Sequence, residues 1–326
     1  MYCSHEIGVI RIYCTYGYYV MFKGVVISAY CAITPIHAGF GRSMKVDLVV
    51  QRDSLGIPMI FSSSLKGTFK SLVHKVSRGL EKCLGDDVDS ARESFVIFTD
   101  AFMLAIPTHY EDRLVIYVTC PYLLWRIQKI LSLSESSRVK VFYNFIKKLF
   151  EESNKLLHED SKCHAIPLKE SSKYLRDLES LFVEDFRIDI SKSYIDIDIP
   201  SEVVEVVKNM PYPSSEVFER ILIVKDDIFR SLVNKILIIQ TRVSLEYTTK
   251  TAKSGALWRE EYVPTGTIFV GAILFKDLSM IAKNDENDCS ESSLKRLEDL
   301  IRAEPIMAVG GKETVGKGFI KMCIIS

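Results

Sequence analysis

Apolar residues recur along this chain at two spacings, one typical of strands and one typical of helices. Residues 25–33 are apolar except for Ser28 and predict a strand, and apolar residues from Leu65 to Leu80 recur at helical spacing. Further strands are predicted at 95–106, 113–119, 236–247 and 259–272, and further helices at 121–134, 138–150, 215–235 and 290–303. Two short strands are predicted around the terminal glycine-rich turn. Helices interspersed among antiparallel strands indicate an α+β protein.

Charge is balanced over the whole chain but not along it. The 42 lysines and arginines equal the 42 aspartates and glutamates in number, so attraction to nucleic acid or to an anionic membrane cannot be inferred from net charge. Residues 37–80 contain seven basic and two acidic residues, whereas residues 151–205 contain fourteen acidic and seven basic ones. The sequence therefore predicts a basic face in the N-terminal third and an inserted acidic helical segment at about 135–215.

The apolar stretches and the cysteines favour a cytoplasmic protein without a membrane span. Residues 12–36 are the most apolar stretch, but Lys23 lies near their centre, so we interpret them as strand. Residues 1–20 have no basic segment and no small-residue cleavage site. They are assigned as an N-terminal extension, with Met21 a more natural start of a single domain 21–326. The eight cysteines form no CxxC pair and several lie in apolar runs, which favours buried thiols without disulfide bridges.

A long loop after the first predicted strand carries the first candidate residues. It contains His37, Arg42, Asp47 and Arg52 on backbone that we expect to face solvent, where phosphate contact and proton transfer are both feasible. For His37 alone, a solvated loop histidine is the favoured interpretation. Asp47 lies among basic residues, so it is either ion-paired or placed to act on an anionic group, with a metal if needed.

The start of the following helix is a second candidate site. Ser62, Ser63, Ser64, Lys66 and Lys70 offer hydroxyl groups, two ammonium groups and unpaired backbone N–H groups to one phosphate. Helix capping explains the serines without any ligand. Lys66 is the residue for which phosphate contact is favoured.

A glycine-rich segment near the C-terminus is the third candidate. It resembles a phosphate-binding loop in spacing, but Gly318 stands where Ser or Thr is needed and only eight residues follow, which disfavours nucleotide hydrolysis. The remaining interpretations are a simple hairpin or a loop whose backbone amides follow the phosphates of a polynucleotide. The second is favoured, and its predicted binding residues are Gly310, Gly311, Lys312, Thr314, Gly316 and Lys317.

Residues 241–264 are the fourth candidate and predict a long projecting hairpin with a polar tip. Arg242, Lys250, Lys253 and Trp258 would be available there to phosphates and bases. Glu260 and Glu261 could supply a second acid. The alternative is a surface excursion without function. His158, Cys163 and His164 match no common metal-site spacing and are discounted.

These segments, taken in order, resemble the RAMP superfamily of CRISPR systems, and most closely the backbone (Cas7-like) subunits of type III-B, or Cmr, effector complexes. The resemblance covers most of the chain from Val25 to its end. The motifs that carry it are ITPIHAGFG, VDLVVQRD, IPMIFSSSLKG, FTDAFMLAIPTH, VTCPYLLWR, TRVSLEYTTKTAKSGALWREEYVP and GGKETVGKG. The extension 1–20 and the acidic segment depart from the family pattern without removing a motif.

The resemblance implies a ferredoxin-like (RRM-type) core with a projecting thumb hairpin. It implies a subunit that stacks with copies of itself along a guide RNA, beside other Cmr subunits, and cuts the paired target RNA with a divalent metal, Mg²⁺ or Mn²⁺. It also implies that Asp47 is the catalytic acid and the metal ligand, with His37 nearby.

We therefore expect a cytoplasmic, guide-RNA-binding backbone subunit with metal-dependent endoribonuclease activity and no membrane partner. Asp47, His37 and Glu260 are the predicted catalytic residues. One alternative is a non-catalytic RNA-binding scaffold, in which Asp47 only pairs with Arg52 or Arg42. Another is a guide-processing, metal-independent endoribonuclease that relies on histidine. Metal dependence of cleavage separates the first hypothesis from the last.

Overall fold

A computed structural model describes most of the chain. The described residues are 11–14, 17–20, 22–42, 46–85, 94–110, 114–159, 163–175, 179–183, 186–278 and 289–326. Lys45, which contributes to the basic run, and residues 1–10 of the predicted extension lie outside them.

Strands account for much of the described chain, and most of them join one sheet. In chain order they are β1 Arg11–Cys14, β2 Gly17–Val20, β3 Phe22–Ala32, β4 Gly39–Gly41, β5 Val49–Val50, β6 Met59–Ile60, β7 Val96–Phe98, β8 Ala101–Tyr110, β9 Leu114–Thr119, β10 Ala165–Pro167, β11 Ser180–Val183, β12 Phe186–Asp189, β13 Ile221–Val224, β14 Ile238–Leu245, β15 Ala252–Tyr262, β16 Ile268–Lys276, β17 Ile306–Ala308 and β18 Phe319–Ile324.

The helices alternate with the strands. They are α1 Ser62–Val76, α2 Pro121–Leu131, α3 Ser137–Glu159, α4 Lys169–Leu175, α5 Ser201–Lys208, α6 Asp226–Ile236 and α7 Glu291–Arg302. Short 3₁₀ turns lie at Leu80–Leu84, Ser214–Glu219 and Glu313–Val315. Within the described ranges, no helix is long and apolar enough to cross a membrane.

The main sheet has the order β10-β13-β9-β8-β16-β3-β18-β17, with β6 paired to β8 and β7 paired to β16. Its neighbours are antiparallel except β13 and β9, which are parallel. The mixture of a large sheet with helices between its strands confirms the α+β prediction.

Strand β3 shows why helices cover both faces of this sheet. Its side chains alternate, so Val26 and Tyr30 point to one apolar layer while Ile27 and Cys31 point to the other. The first layer contains the buried faces of α1, α6 and α7, and the second contains those of α2, α3 and α5. A strand buried on both faces is apolar at nearly every position, which accounts for the apolar run in the sequence; Ser28, which is buried, is its polar exception.

Strands β14 and β15 form a hairpin that stands apart from the main sheet. They pair antiparallel from Ile238 opposite Tyr262 to Leu245 opposite Ala252. Every described side chain of β14 is exposed or half-exposed, so this part of the hairpin packs on no core. Only the base of β15, at residues 260–262, is buried. The predicted projecting hairpin at 241–264 is therefore present, with strand ends a few residues earlier.

Two loops lie near the base of this hairpin. We name residues 33–58 the first loop; it contains the short pair β4–β5. We name residues 309–318 the glycine-rich loop; it joins β17 to β18, the two short strands predicted there, which pair antiparallel.

The acidic segment is more than a helical insertion. Besides α3, α4 and α5, it contains β10, which joins the main sheet beside β13, and the separate pair β11–β12. The predicted insertion boundaries of 135–215 stay a prediction.

Three sequence expectations were wrong in detail. The predicted helix at 215–235 is a 3₁₀ turn, then β13, then α6; residues 221–224 are apolar without interruption and form a buried strand. The predicted strand at 259–272 is broken between β15 and β16, where Pro264 begins a turn and Gly266 has φ +88°. Cys83 and Cys289 form a disulfide between the turn after α1 and the residues before α7, although no bridge was expected.

Candidate nucleic-acid interface

Strand β15 connects the two loops at the base of the hairpin. Leu48 of the first loop forms a parallel β-bridge with Glu260, and the Glu261 backbone N–H donates to the Leu48 carbonyl at 2.9 Å. His37 of the first loop forms another parallel bridge with Gly310 of the glycine-rich loop. Main-chain hydrogen bonds therefore fix all three segments relative to one another.

Asp47 is an exposed carboxylate beside the edge of β15. Its Oδ2 accepts a hydrogen bond of 2.8 Å from the backbone N–H of Arg259. The backbone N–H of Leu48 donates to the Arg259 carbonyl at 3.1 Å. These bonds orient the Asp47 side chain while it remains at the surface. Contact with a cation or a hydroxyl group requires such an accessible, oriented carboxylate.

The sequence predicted that His37 lies on solvent-facing backbone. This was wrong, because His37 is buried and only 6% exposed. Its Nδ1 lies 2.7 Å from the carbonyl oxygen of Glu261, and its ring centroid is 5.5 Å from that of Tyr262. A carbonyl oxygen only accepts, so Nδ1 carries the proton and Nε2 is the acceptor of the neutral ring. Packing between β15 and the glycine-rich loop is what buries this side chain.

Glu260, predicted as a second catalytic acid, is 0% exposed. Its Oε1 accepts from the Lys312 ammonium and from the Trp258 indole N–H, both at 2.6 Å. Its Oε2 accepts from the Tyr262 hydroxyl, and Arg242 Nε lies 4.0 Å away. Both carboxylate oxygens are thus occupied by donors from the hairpin and from the glycine-rich loop. This burial weighs against direct contact between Glu260 and RNA.

The donors around Glu260 keep it ionised. Burial by itself raises the pKa of Glu260, but hydrogen bonds from Lys312, Trp258 and Tyr262, with the charge of Lys312, outweigh burial and lower the pKa to about 2. Burial and the adjacent Glu260 carboxylate raise the pKa of Tyr262 to about 12. At neutral pH the carboxylate is therefore charged and the Tyr262 hydroxyl keeps its proton to donate.

The adjacent carboxylate, Glu261, holds the first loop. Its Oε1 pairs with Arg52 Nη2 at 2.7 Å, and its Oε2 accepts from the Val50 backbone N–H at 3.1 Å. Arg52 also donates to Asn234 of α6 at 2.9 Å. Successive side chains of a strand point to opposite faces. Glu260 and Glu261 therefore hold two different loops from one strand.

The glycine-rich loop needs glycine for its backbone geometry. Gly310 has φ +88°, and a Cβ there would lie 2.1 Å from the carbonyl oxygen of His37. Gly318 has φ +82°, and a Cβ there would lie 2.2 Å from the Val309 carbonyl oxygen. At Gly311, by contrast, a Cβ would meet nothing within 4 Å. Close packing explains Gly310 and Gly318 without a ligand.

The other predicted residues of this loop lie at or near the surface. Thr314 is exposed within the 3₁₀ turn Glu313–Val315, and Gly316 is exposed with φ +74°. Lys317 is half-buried, and its Nζ lies 5.1 Å from the centroid of the Tyr262 ring, a cation–π distance. Lys312 and Lys317 therefore both converge on the hairpin base.

The three predicted serines stand inside the first turn of α1 rather than before it. The helix begins at Ser62, whose backbone N–H donates to the Asp100 carboxylate at 2.7 Å. Ser64 Oγ accepts from the Gln51 amide at 2.8 Å, and Ser63 is exposed. The expected serine cap was wrong, because a carboxylate from β7–β8 takes that position.

The remaining predicted cations are spread over a wider surface. Lys66 is half-buried on α1, and Lys70 Nζ donates to the Gly85 carbonyl at 2.9 Å. Arg42 is exposed directly after β4. Lys250 is exposed at the hairpin tip, with Nζ 4.8 Å from the ring of Tyr247.

Comparison with known proteins settles the family. Residues 32–321 match the RAMP superfamily. The chain belongs to the RAMP superfamily. The CRISPR system CMR subunit Cmr4 of Saccharolobus solfataricus is 29% identical over 308 residues, which are 89% of this chain and 93% of that protein. The CRISPR system Cmr endoribonuclease Cmr4 of Pyrococcus furiosus is 30% identical over 302 residues, 90% of this chain and 92% of that protein.

Solved structures extend this likeness to the RAMP fold. A chain of the type III-B Cmr-beta complex in its apo state superposes with a TM-score of 0.72 at 28% identity, over 94% of this chain and 99% of the other. Oligomeric Cmr4 from Pyrococcus furiosus shares the fold, with a TM-score of 0.57 at 24% identity over 93% and 99% of the two chains. The predicted membership in the RAMP superfamily is confirmed.

The described part of this RAMP chain contains no group of three or more His, Cys, Asp or Glu side chains that could hold a metal. His158, Cys163 and His164 form no such group either. Mg²⁺, however, usually keeps several waters and takes only one or two protein carboxylates together with phosphate oxygens of the substrate. The exposed Asp47 carboxylate fits that mode, whereas Glu260 and Glu261 are already paired within the protein.

Sequence reasoning missed Tyr262 and Asp100. A local pattern could have identified Tyr262. Trp258, Glu260 and Tyr262 are spaced two residues apart, which places their side chains on one face of a strand. Asp100 is separated from Ser62 by a helix and a turn, and no local pattern connects them.

Gly310→Ala should destabilise this RAMP chain by about 1–3 kcal/mol, because the new Cβ would overlap the His37 carbonyl and φ would stay positive. The control is Gly311→Ala, which has open space and should change stability little. Chemical unfolding of both variants is the measurement. Equal stability of the two variants would contradict this account of the loop.

Glu260 should contribute a pH-dependent part of the stability. A depressed pKa stabilises the folded state fully above the ordinary value of 4.5, and the contribution is lost as the pH falls towards 2. The difference in unfolding free energy between wild type and Glu260→Gln should therefore shrink over this range by about 3 kcal/mol. Urea unfolding at a series of pH values measures it, and a difference that does not depend on pH would contradict the account.

Proposed function

We propose that this chain is a guide-RNA-binding backbone subunit of a type III-B CRISPR effector complex. We further propose that it cleaves guide-paired target RNA, with Asp47 as the catalytic residue. The observation that carries the proposal is the exposed Asp47 carboxylate, which the Arg259 backbone N–H orients beside the base of the hairpin. The partners are guide RNA, complementary target RNA, further copies of this chain and other Cmr subunits, in the cytoplasm.

The relatives support this assignment. The Pyrococcus furiosus relative is named an endoribonuclease. A Cmr-beta structure bound to cognate target RNA contains a chain that superposes with a TM-score of 0.72 at 28% identity, over 94% of this chain. An RNA-directed cleavage subunit therefore agrees with both comparisons.

The topology supports a ferredoxin-like core. Strands β3, β8, β16 and β18, with α1 after β3 and α7 after β16, follow the β-α-β-β-α-β order of that fold. Their order in the sheet is β8-β16-β3-β18, and all neighbours are antiparallel. The elements between β8 and β16, including the hairpin β14–β15, are then additions to this core.

A divalent metal, Mg²⁺ or Mn²⁺, belongs to the proposal. Asp47 would hold it from the protein side, and the metal would supply positive charge to a phosphate oxygen of the target RNA. The backbone N–H of Arg259 keeps the Asp47 carboxylate in one direction. Exposed Arg42 and the lysines near the hairpin base would offset the negative charge that develops on the phosphate. The hairpin would hold one nucleotide out of the stack, so that its 2′-hydroxyl stands in line with the scissile bond.

Two observations favour this proposal over the alternatives. Arg52 pairs with Glu261 rather than with Asp47, so neutralising Arg52 is not the role of Asp47. His37 is buried with Nδ1 engaged, which disfavours a cleavage reaction centred on histidine.

Asp47→Asn should leave the fold and RNA assembly intact but lower cleavage by orders of magnitude, because the change keeps side-chain volume and removes the charge. The measurement is single-turnover cleavage of a guide-complementary RNA by reconstituted complex, with Mg²⁺ and with EDTA.

His37→Ala should lower the rate less than Asp47→Asn, and Asp198→Asn, an exposed acid of the acidic segment, should cut normally. Wild-type rates in the Asp47→Asn complex would refute the catalytic assignment. Full activity of the wild type in EDTA would refute the metal.

A further inference from the structure

Glu260 forms hydrogen bonds and ion pairs with two separate elements, and both of them contact RNA in the proposed function. Trp258, Tyr262 and Arg242 belong to the hairpin β14–β15, whereas Lys312 belongs to the glycine-rich loop. The Lys312 side chain is 26% exposed, while the Glu260 side chain is completely buried. Solvent therefore reaches part of the Lys312 side chain but does not reach Glu260.

Main-chain hydrogen bonds hold the ends of the glycine-rich loop: the Val309 N–H donates to the Gly318 carbonyl, and the Gly318 N–H donates to the Pro35 carbonyl of the first loop. Side chains connect the residues between these ends to the hairpin. The β-bridge to the first loop ends at Gly310, and a Cβ added at Gly311 would meet nothing within 4 Å. After Gly310, the first side-chain contact between the glycine-rich loop and the hairpin is the 2.6 Å hydrogen bond from Lys312 to Glu260. The Lys317 ring contact with Tyr262 is the next, and Tyr262 itself donates to Glu260.

We propose that Glu260 is a positioning residue for RNA binding. Its buried carboxylate holds the Lys312 ammonium and the Trp258 indole in one fixed arrangement, so that loop and hairpin present a single surface to the RNA backbone. This inference rests on the proposed function. It assigns to Glu260 a role different from that of Asp47, which touches the reacting groups.

The physical basis is preorganisation. A flexible lysine loses side-chain entropy when it binds a phosphate, and a lysine already fixed by a buried carboxylate loses less. Glu260→Gln removes the charge that fixes Lys312 and retains the shape. Removing an acid near RNA normally strengthens binding by reducing repulsion. If Glu260 positions Lys312, its removal should instead weaken RNA binding. The direction of the change in affinity therefore distinguishes loss of positioning from relief of repulsion.

The test uses full-length chain and a fluorescently labelled oligouridylate RNA, with affinity measured by anisotropy. Glu260→Gln should weaken binding by about tenfold, and so should Lys312→Ala. The double variant should be no weaker than Lys312→Ala alone, because Glu260 acts through Lys312. The matched control is Glu313→Gln, which removes the same charge one residue from Lys312 and should not weaken binding.

A spectroscopic measurement reports the contact itself. The chain has two tryptophans, so Trp125→Phe leaves a single indole N–H signal in a nitrogen-15 NMR spectrum. That signal should lie downfield, as for a donor to a carboxylate, and should move upfield when Glu260→Gln is added. A signal that does not move would show that Glu260 does not hold Trp258.

Tyr262→Phe keeps the test valid if Glu260→Gln does not fold. The Tyr262 side chain is 0% exposed and cannot touch RNA, yet its hydroxyl donates to Glu260. Its loss should weaken RNA binding by about two- to threefold, and this effect should disappear in the Lys312→Ala background.

The binding and cleavage results together distinguish positioning by Glu260 from the other possible roles. Additive losses in the double variant, or tighter binding by Glu260→Gln, would overturn the positioning role. Unchanged binding but lost cleavage at saturating RNA would make Glu260 catalytic and would also overturn it. If the wild-type chain does not bind the oligouridylate, the proposed function fails instead. Non-additive weakening with cleavage retained at saturating RNA supports the inference.

Discussion

Two adjacent buried carboxylates on one strand organise this surface. Glu260 binds the glycine-rich loop through Lys312, and Glu261 binds the first loop through Arg52. A buried charge without a partner is strongly unfavourable, so each carboxylate requires its cation to stay in place. Because the two side chains leave β15 on opposite faces, the strand acts as a common support for both loops.

The rest of the fold keeps β15 in position. The strand continues through the turn at Gly266 into β16, which lies between β3 and β8 at the centre of the main sheet. The sheet is covered by helices on both faces, so β16 is buried along nearly its whole length. The hairpin can therefore project from the core with its far end unsupported while its base remains rigid.

The sequence predicted the parts of this structure that local patterns encode. Apolar periodicity located β3, α1 and α7, and the polar tip of residues 246–251 located the hairpin. The resemblance to the RAMP superfamily pointed to segments that the fold brings together at the hairpin base. It could not show that His37 and Glu260 are buried, because burial depends on which segments pack on them.

Long-range partners account for what sequence reasoning missed. Lys312 is 52 residues from Glu260, and Cys83 is 206 residues from Cys289. A charged residue in a polar loop has the same local pattern whether it faces RNA or a buried carboxylate. For this reason Arg52 was predicted as a phosphate contact although it pairs with Glu261.

The most direct test is a cryo-electron microscopy structure of the complex with guide RNA and a non-cleavable target RNA. The account predicts that the Asp47 carboxylate faces the scissile phosphate with a metal between them. It also predicts that Glu260 stays buried against Lys312 and Trp258, without touching RNA. A scissile phosphate placed at Glu260, or remote from Asp47, would contradict it.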